Sequence, residues 1–187
     1  PEEVTWDGTE TVGGSDDVTN ILLIGQDRRP GESRARSDAM IIASINKTDK
    51  TITLTSLMRD MYVQIPGYSD NRINAAYAFG GMELLDETIK ENFDIDIDGN
   101  IEVDFSGFQD VIDSIGGIDL EIQADEISVM NDYIRDLNRQ NGVYSETGLI
   151  TQAGVLHLNG TQALAYSRSR YVGNGDFERT QRQRSVL

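Results

Sequence analysis

Two short β-rich runs, residues 40–45 and 51–57, are separated by only five polar residues. Runs of this kind joined by a short turn are typical of an antiparallel hairpin. In such a hairpin the start of the first strand and the end of the second strand lie at the same edge of the sheet. Asp38 stands just before the first run and Arg59 just after the second. We therefore expect these two charged residues to lie at one sheet edge.

A short apolar run at residues 20–25 ends in glycine and has the pattern of a strand that is buried on both faces. Asp27 follows this run and can reach the same edge as Asp38. Two carboxylates near arginines, here Arg36 and Arg59, suggest a phosphate site with a divalent cation, because Mg²⁺ prefers oxygen ligands. The alternative is a set of structural ion pairs at the strand ends.

The remaining patterns mix strands and helices. Strands are predicted at residues 62–65, at 95–105 with a turn at 98–100, and at 118–122. Helices are predicted at 74–93 with a bend at Gly80-Gly81, from a Ser106 cap to Gly116-Gly117, at 124–140, after a Thr161 cap, and at 177–187. The fold class is α/β, with a central mixed β-sheet flanked by helices in α/β/α layers.

Length and composition favour one packed domain. The chain has 187 residues, is 38% hydrophobic and contains no cysteine, so it has no disulfide framework and no thiolate nucleophile. Residues 1–19 are rich in acidic and small residues, and we interpret them as a flexible acidic linker that precedes a domain at 20–187. The net charge of −16 argues against nucleic acid as a partner, because neutralising phosphates requires a broadly basic face.

Residues 166–184 form a basic segment in this acidic chain. The segment has five arginines and two acidic residues, so it carries +3 while the rest of the chain carries −19. The five are Arg168, Arg170, Arg179, Arg182 and Arg184. The planar guanidinium can hold a phosphate or a carboxylate through two parallel hydrogen bonds. The segment is therefore either half of an anion-binding site or a solvated helical face with a few ion pairs.

Two further features have both a structural and a functional interpretation. His157 is the only histidine in the chain, and a packing or capping role is favoured for it over catalysis. Four apolar residues of the predicted 124–140 helix lie on one stripe, which is interpreted as core, with a lipid slot as the alternative. These four residues are Ile127, Met130, Ile134 and Leu137.

Taken together, several blocks of the sequence closely resemble the LytR-CpsA-Psr family and follow one another in the family's order. The blocks are residues 20–27, 36–40, 56–60, 73–81, 158–160, 163–166, 168–170, 175–179 and 182–183. The resemblance implies that residues 20–187 have the fold of the LytR-CpsA-Psr (LCP) family, an LCP-like fold. It also implies a phosphotransferase that moves a glycopolymer, such as teichoic acid or capsular polysaccharide, from a polyprenyl-pyrophosphate carrier to peptidoglycan in Gram-positive bacteria.

The resemblance also assigns roles to residues. Asp27 and Asp38 are expected to hold Mg²⁺, and a group of arginines is expected to contact the pyrophosphate with help from Gln183. These arginines are Arg36, Arg59, Arg168, Arg170 and Arg179. The polyprenyl tail is expected to run into an apolar slot between the sheet and the helices. The resemblance does not identify the general base; Asp176 is the candidate because it lies inside the basic segment. Arg182 and Arg184 fall outside the family's contacts.

The family's members act at the extracytoplasmic face of the cell membrane, to which an N-terminal helix anchors them. We therefore expect residues 1–19 to connect this domain to such a helix and the domain to continue past Leu187. Two alternative functions stay open: hydrolysis of the lipid pyrophosphate with water as the acceptor, and a non-catalytic module that only binds prenyl phosphates or wall polymer.

Overall fold

The computed structural model describes residues 17–26, 37–170 and 176–187. Within these ranges the chain forms eight strands and five helices. The strands are β1 Val18–Gln26, β2 Ser37–Asn46, β3 Thr51–Ser56, β4 Tyr62–Val63, β5 Asn71–Arg72, β6 Gly99–Asp104, β7 Ile118–Ile122 and β8 Gly154–Leu158. The helices are α1 Ile73–Phe93, α2 Phe105–Ser114, α3 Glu126–Gln140, α4 Gly160–Arg168 and α5 Asp176–Ser185.

The main sheet has four strands in the order β3-β2-β1-β6. β2 is antiparallel to both β1 and β3, whereas β6 is parallel to β1, so the sheet is mixed as predicted. The hairpin of β2 and β3 is confirmed, but its turn has four residues instead of five, because Asn46 pairs with Thr51. The Asn46 side-chain oxygen accepts hydrogen bonds from the backbone N–H groups of Thr48 and Asp49, which stabilises this turn.

The first hydrophobic core lies between one face of this sheet and α1. Successive residues of a strand point to opposite faces, so alternate residues of β1 and β2 share this core. The fully buried members of the core are Leu22, Ile24, Met40, Ile42, Ile73, Ala76, Leu85 and Ile89. The bend predicted in α1 is confirmed at Gly81, whose φ of 72° and ψ of −153° are not helical.

The second core holds α2, α3 and α4 together with the two-stranded sheet of β7 and β8. The end of α5 joins it through Val186. These helices lie on the side of the main sheet opposite to α1. The α/β/α layering expected from the sequence is therefore present. Among the described residues, no helix combines the length and the apolar character that crossing a bilayer requires.

Two helix caps differ from the prediction. Asp104, not Ser106, caps α2, and its carboxylate accepts a hydrogen bond of 2.9 Å from the Gly107 N–H. Asn159, not Thr161, caps α4 and forms a capping box with Gln162. Both helices therefore begin earlier than the sequence pattern indicates.

Three further differences from the prediction concern strands. Residues 94–98 are not a strand; Ile95 and Ile97 instead pack against the first core. β8 was not predicted at all. β1 begins at Val18, two residues inside the segment interpreted as linker.

Candidate functional site: a cavity between the sheet and the helices

A cavity of about 330 Å³ lies between the main sheet and the helices on its second face. This volume is in the range of sites that bind small molecules. The sheet contributes Leu23, Gly25, Gln26, Ala39, Ile41, Val103 and Asp104. The helices and the residues that follow them contribute Phe105, Phe108, Tyr133, Leu164, Ser167, Arg168, Arg170, Arg179, Gln183, Val186 and Leu187. The lining therefore joins an apolar and aromatic wall to a group of arginines.

Arg168, the last residue of α4, lies against two aromatic rings of the cavity. Its guanidinium carbon is 4.2 Å from the centre of the Phe105 ring and 5.2 Å from the centre of the Tyr133 ring. The face of an aromatic ring attracts a cation at such distances. These contacts hold a positive charge at the cavity wall while leaving the guanidinium N–H groups available as hydrogen-bond donors.

Arg170 lies on the same side of the chain as Arg168 because of the residue between them. Ser169 is fully buried, and its hydroxyl donates a hydrogen bond of 3.0 Å to the carbonyl oxygen of Ala165. Its backbone is extended, with φ of −60° and ψ of 124°. Alternate residues of an extended segment point to the same side. Because Ser169 points inward, both of its neighbours reach the cavity, and both line it.

Helix α5 adds Arg179 and Gln183 to the lining. The two residues are four positions apart, which places them on one face of a helix. The Arg179 side chain is buried, with 3% of the residue exposed. This burial does not fit the alternative interpretation of the basic segment, in which its arginines lie on a solvated helical face. Arg179 therefore contributes a buried positive charge to the wall of the cavity.

Arg182 and Arg184 do not line the cavity. The Arg182 guanidinium is buried and bonds to Glu126, Glu178 and the carbonyl oxygen of Ser169. Arg184 donates a hydrogen bond of 2.6 Å to the hydroxyl of Ser56. Their described contacts are with protein groups, and their lack of ligand contact stays a prediction.

The strand register supports the shared sheet edge on which the phosphate-site prediction depends. Gln26, at the end of β1, pairs with Ser37 at the start of β2 and with Asp104 at the end of β6. The register shifts at this pair, so Asp38 is the extra residue of a β-bulge, a feature that is over-represented beside active sites. Arg59 lies in the turn after β3, beyond the strand end at the same edge, and is not among the described residues that line the cavity.

Several predicted site residues cannot be located by side chain. Asp27 and Arg36 lie outside the described residues, as do the side chains of Asp38 and Asp176. Within the three described ranges, no group of three or more His, Cys, Asp or Glu side chains could hold a metal ion. The roles of Asp27 and Asp38 as Mg²⁺ ligands therefore stay predictions. The role of Asp176 as the general base also stays a prediction.

The stripe on α3 is part of the second core. Met130 and Ile134 are fully buried, Leu137 is 2% exposed, and Ile127 packs against the same core. None of these four belongs to the described lining of the cavity. The placement favours the core interpretation, and the apolar space between sheet and helices is lined by other residues.

Sequence reasoning missed several polar and aromatic residues of the site. Gln26 is buried, and its side-chain amide nitrogen donates to the hydroxyl of Tyr77, which in turn donates to Glu102 at 2.8 Å. The Tyr77 proton is used by Glu102, so Gln26 must present its NH₂ group to the hydroxyl oxygen. Its Oε1 has no hydrogen-bond partner among the described residues. Gln26 stands directly before Asp27, and this position is the signal that could have identified it.

His157 lies in the β7–β8 sheet and does not belong to the described lining of the cavity. Its Nδ1 is 2.7 Å from the Asp119 carboxylate, and its Nε2 is 2.7 Å from the Gly116 carbonyl oxygen. The bond to Asp119 and the bond to Gly116 raise the pKa of His157. These are bonds within the scaffold at an exposed position, and they fit the capping alternative of the prediction better than the packing alternative.

Comparison with known proteins gives one consistent result. A sequence profile of the LytR-CpsA-Psr family matches residues 3–187. The polyisoprenyl-teichoic acid–peptidoglycan teichoic acid transferase TagT of Bacillus subtilis (strain 168) is 34% identical over 175 residues, which cover 91% of this chain and 51% of that protein. The chain thus spans about half the length of this relative.

Two solved structures have the same fold. The family protein YwtF (TagT) with bound octaprenyl pyrophosphate lipid aligns with a TM-score of 0.72 and 31% identity, over 92% of this chain and 62% of that one. TagT bound to LI-WTA aligns with a TM-score of 0.76 and 32% identity, over 92% and 62% of the two chains. The ordered sequence blocks, the profile match and the shared fold lead to one conclusion: the chain belongs to the LytR-CpsA-Psr family.

Proposed function

We propose that this domain transfers a glycopolymer from a polyprenyl-pyrophosphate carrier to peptidoglycan at the extracytoplasmic face of the membrane. The glycopolymer is a teichoic acid, a capsular polysaccharide or another wall polysaccharide. The observation that carries the proposal is the joining of three arginines, Arg168, Arg170 and Arg179, to an apolar and aromatic cavity. The relatives, named as teichoic acid transferases, and the TagT structure with octaprenyl pyrophosphate support it.

The cavity chemistry suits a ligand with an anionic head and a hydrocarbon tail. Guanidinium groups and the Gln183 amide offer donors to phosphate oxygens. Leu23, Ile41 and Val103 of the sheet offer apolar surface from which a prenyl chain gains about 25 cal/mol per Å² that is removed from water. A water-soluble nucleotide or a free sugar would leave that surface without a matching group.

The proposed reaction is a phosphoryl transfer. A hydroxyl oxygen of a peptidoglycan sugar attacks the phosphorus that carries the glycopolymer, and the bond from that phosphorus to the bridging oxygen breaks. The products are the polymer joined to peptidoglycan by a phosphodiester bond, and polyprenyl phosphate. The hydroxyl proton goes to a general base, for which Asp176 is the candidate.

The arginines stabilise the negative charge that shifts during this reaction. Arg168 is held by two aromatic rings, and the buried Ser169 fixes the backbone beside Arg170. Preorganised donors of this kind lower the barrier of a phosphoryl transfer. Arg59 follows β3, which lies on the side of β2 away from β1. We propose that it contacts the pyrophosphate from that side.

A Mg²⁺ ion at the sheet edge is part of the proposal, and the strand pairing supports it. The pair of Gln26 with Ser37 brings the backbone before Asp27 next to the backbone before Asp38, and carboxylates are ligands that Mg²⁺ accepts. Asp27 and Asp38 would hold the ion, which would supply positive charge to the pyrophosphate oxygens. Single Asp27→Asn and Asp38→Asn variants should each reduce binding of Mg²⁺ measured by calorimetry with the pyrophosphate ligand present. Unchanged Mg²⁺ affinity in both variants would remove this assignment.

Transfer is tested with a labelled polyprenyl-pyrophosphate glycopolymer, with and without peptidoglycan fragments. The proposal expects labelled polymer to become attached to peptidoglycan and expects Arg168→Ala to reduce this attachment at least tenfold while the protein stays folded. Release of polymer at the same rate without acceptor would favour the hydrolase. Lipid binding without turnover under any condition would favour the non-catalytic module.

A further inference from the structure

A buried ion pair joins α3 to α5 beside the cavity. The Nε of Arg182 is 2.8 Å from Oε1 of Glu126, and each side chain is only 7% exposed. Removing two charges from water costs several kcal/mol per ion unless the pair and further hydrogen bonds compensate. A buried pair of this kind is thus weak evidence for stability, and its role has to be sought in what it contacts.

The pair is connected to two further segments. Arg182 Nη1 donates to the carbonyl oxygen of Ser169 at 3.2 Å, and Nη2 donates to Glu178 at 3.2 Å. The second oxygen of Glu126 accepts a hydrogen bond of 2.9 Å from the backbone N–H of Gln123. One guanidinium therefore links the beginning of α3, the segment after α4 and the body of α5.

The attachment points after α4 and in α5 are adjacent in sequence to groups that line the cavity. Ser169 lies between Arg168 and Arg170. Arg182 itself lies directly before Gln183 and three residues after Arg179. The Arg182 guanidinium therefore links the two segments that carry Arg168, Arg170, Arg179 and Gln183 to the cavity.

We infer that Glu126 and Arg182 are positioning residues that set the spacing of the phosphate-binding donors and so make the site selective for a pyrophosphate over a monophosphate. This inference rests on the proposed function. A monophosphate can be held by one or two of the donors, whereas two linked phosphates require donors from both α5 and the 168–170 segment at a fixed separation.

Lysine cannot replace Arg182 in this role. An ammonium group retains the positive charge beside Glu126, but it lacks the planar fork that reaches Glu126, Glu178 and the Ser169 carbonyl together. Arg182→Lys thus preserves the charge and removes the geometry. Glu126→Gln preserves the shape of the partner and removes its charge, so it tests the same link from the other side.

The test measures affinities for a short-chain polyprenyl pyrophosphate and for the matching polyprenyl monophosphate by calorimetry. Each protein is used at a temperature where near-ultraviolet circular dichroism shows it to be folded. For Arg182→Lys we expect the pyrophosphate-to-monophosphate affinity ratio to fall at least tenfold, and for Glu126→Gln at least threefold. Should Arg182→Lys fail to fold, the Glu126→Gln result decides.

Ile122→Val is the matched control, because Ile122 is a fully buried member of the second core and does not line the cavity. It should lower the midpoint of thermal unfolding and leave the ratio within twofold of wild type. A wild-type ratio in both Glu126→Gln and Arg182→Lys would overturn the inference and leave the proposed function intact. A wild-type chain that does not bind the pyrophosphate would overturn both.

Discussion

The guanidinium carbon of Arg168 lies 4.2 Å above the centre of the Phe105 ring. This contact joins the last residue of α4 to the first residue of α2 across the cavity wall. Tyr133 of α3 supplies a second ring at 5.2 Å from the same carbon. A cationic side chain is thus fixed by apolar surface, where an acidic partner would have reduced its attraction for a phosphate.

Phe105→Leu should weaken binding of polyprenyl pyrophosphate about fivefold. Leucine retains the apolar wall but removes a cation–π contact worth about 1 kcal/mol, which corresponds to that factor in affinity. Calorimetry with the pyrophosphate ligand measures the change. Phe108→Leu is the control, because Phe108 lines the same cavity from the same helix, whereas Arg168 lies over the rings of Phe105 and Tyr133. Equal losses in the two variants would show that the ring acts only as apolar surface.

Arg59→Ala should reduce glycopolymer transfer at least tenfold while the protein stays folded. Arg59 is partly exposed in the turn after β3, so its truncation leaves no core cavity. The lost rate reflects the missing positive charge at the sheet edge. Arg139→Ala serves as the control, since it removes the same charge from the exposed end of α3. Wild-type transfer by the Arg59 variant would exclude this residue from the site.

Gly160→Ala should destabilise the fold by about 1–3 kcal/mol, because it overpacks the contact between α4 and α2. An added Cβ would lie 2.7 Å from the Cα and 2.8 Å from the carbonyl carbon of Gln109, and backbone cannot move aside as a side chain does. Urea unfolding measures the loss. Gly99→Ala is the control, because nothing lies within 4 Å of its added Cβ. A Gly160 variant as stable as the control would mean that the two helices are free to separate.

The pair of His157 with Asp119 should make stability depend on pH. Asp119 raises the pKa of His157 above its ordinary value of about 6.5. A raised pKa in the folded state contributes stability that is fully present below pH 6.5 and is lost as the pH rises through the folded value. Urea unfolding should show that the free energy of unfolding of wild type decreases between pH 5.5 and 8.5. In Asp119→Asn this decrease should be smaller. Parallel curves for the two proteins would contradict the pair's contribution.

Local sequence patterns were sufficient for the hairpin and for the edge of the main sheet. The β-rich runs and the short polar turn specify the pairing of β2 with β3, and the apolar run before Asp27 specifies a central strand. The first residues of the helices could not be predicted from local patterns alone. Asp104 and Ser106 can both cap a helix, and the choice depends on β6 continuing to pair with β1 as far as Asp104. That pairing joins residues 78 positions apart and leaves no local signal.

Which arginines line the cavity and which bond to other protein groups could be inferred only by resemblance. Arg179 and Arg182 are three residues apart and chemically identical, yet one lines the cavity and the other bonds to Glu126, 56 positions away. Only the orientation of α5 against α3 separates them. The cavity also depends on how distant elements pack together, because its aromatic rings come from α2 and α3 and its sheet residues from β1, β2 and β6.

A crystal structure of this domain with a polyprenyl pyrophosphate and Mg²⁺ tests the central claim most directly. The account predicts the pyrophosphate oxygens within hydrogen-bond distance of Arg168, Arg170 and Arg179, and the prenyl chain between the sheet and the aromatic rings of Phe105 and Tyr133. A pyrophosphate bound away from these three arginines, or a prenyl chain outside the cavity, would contradict it.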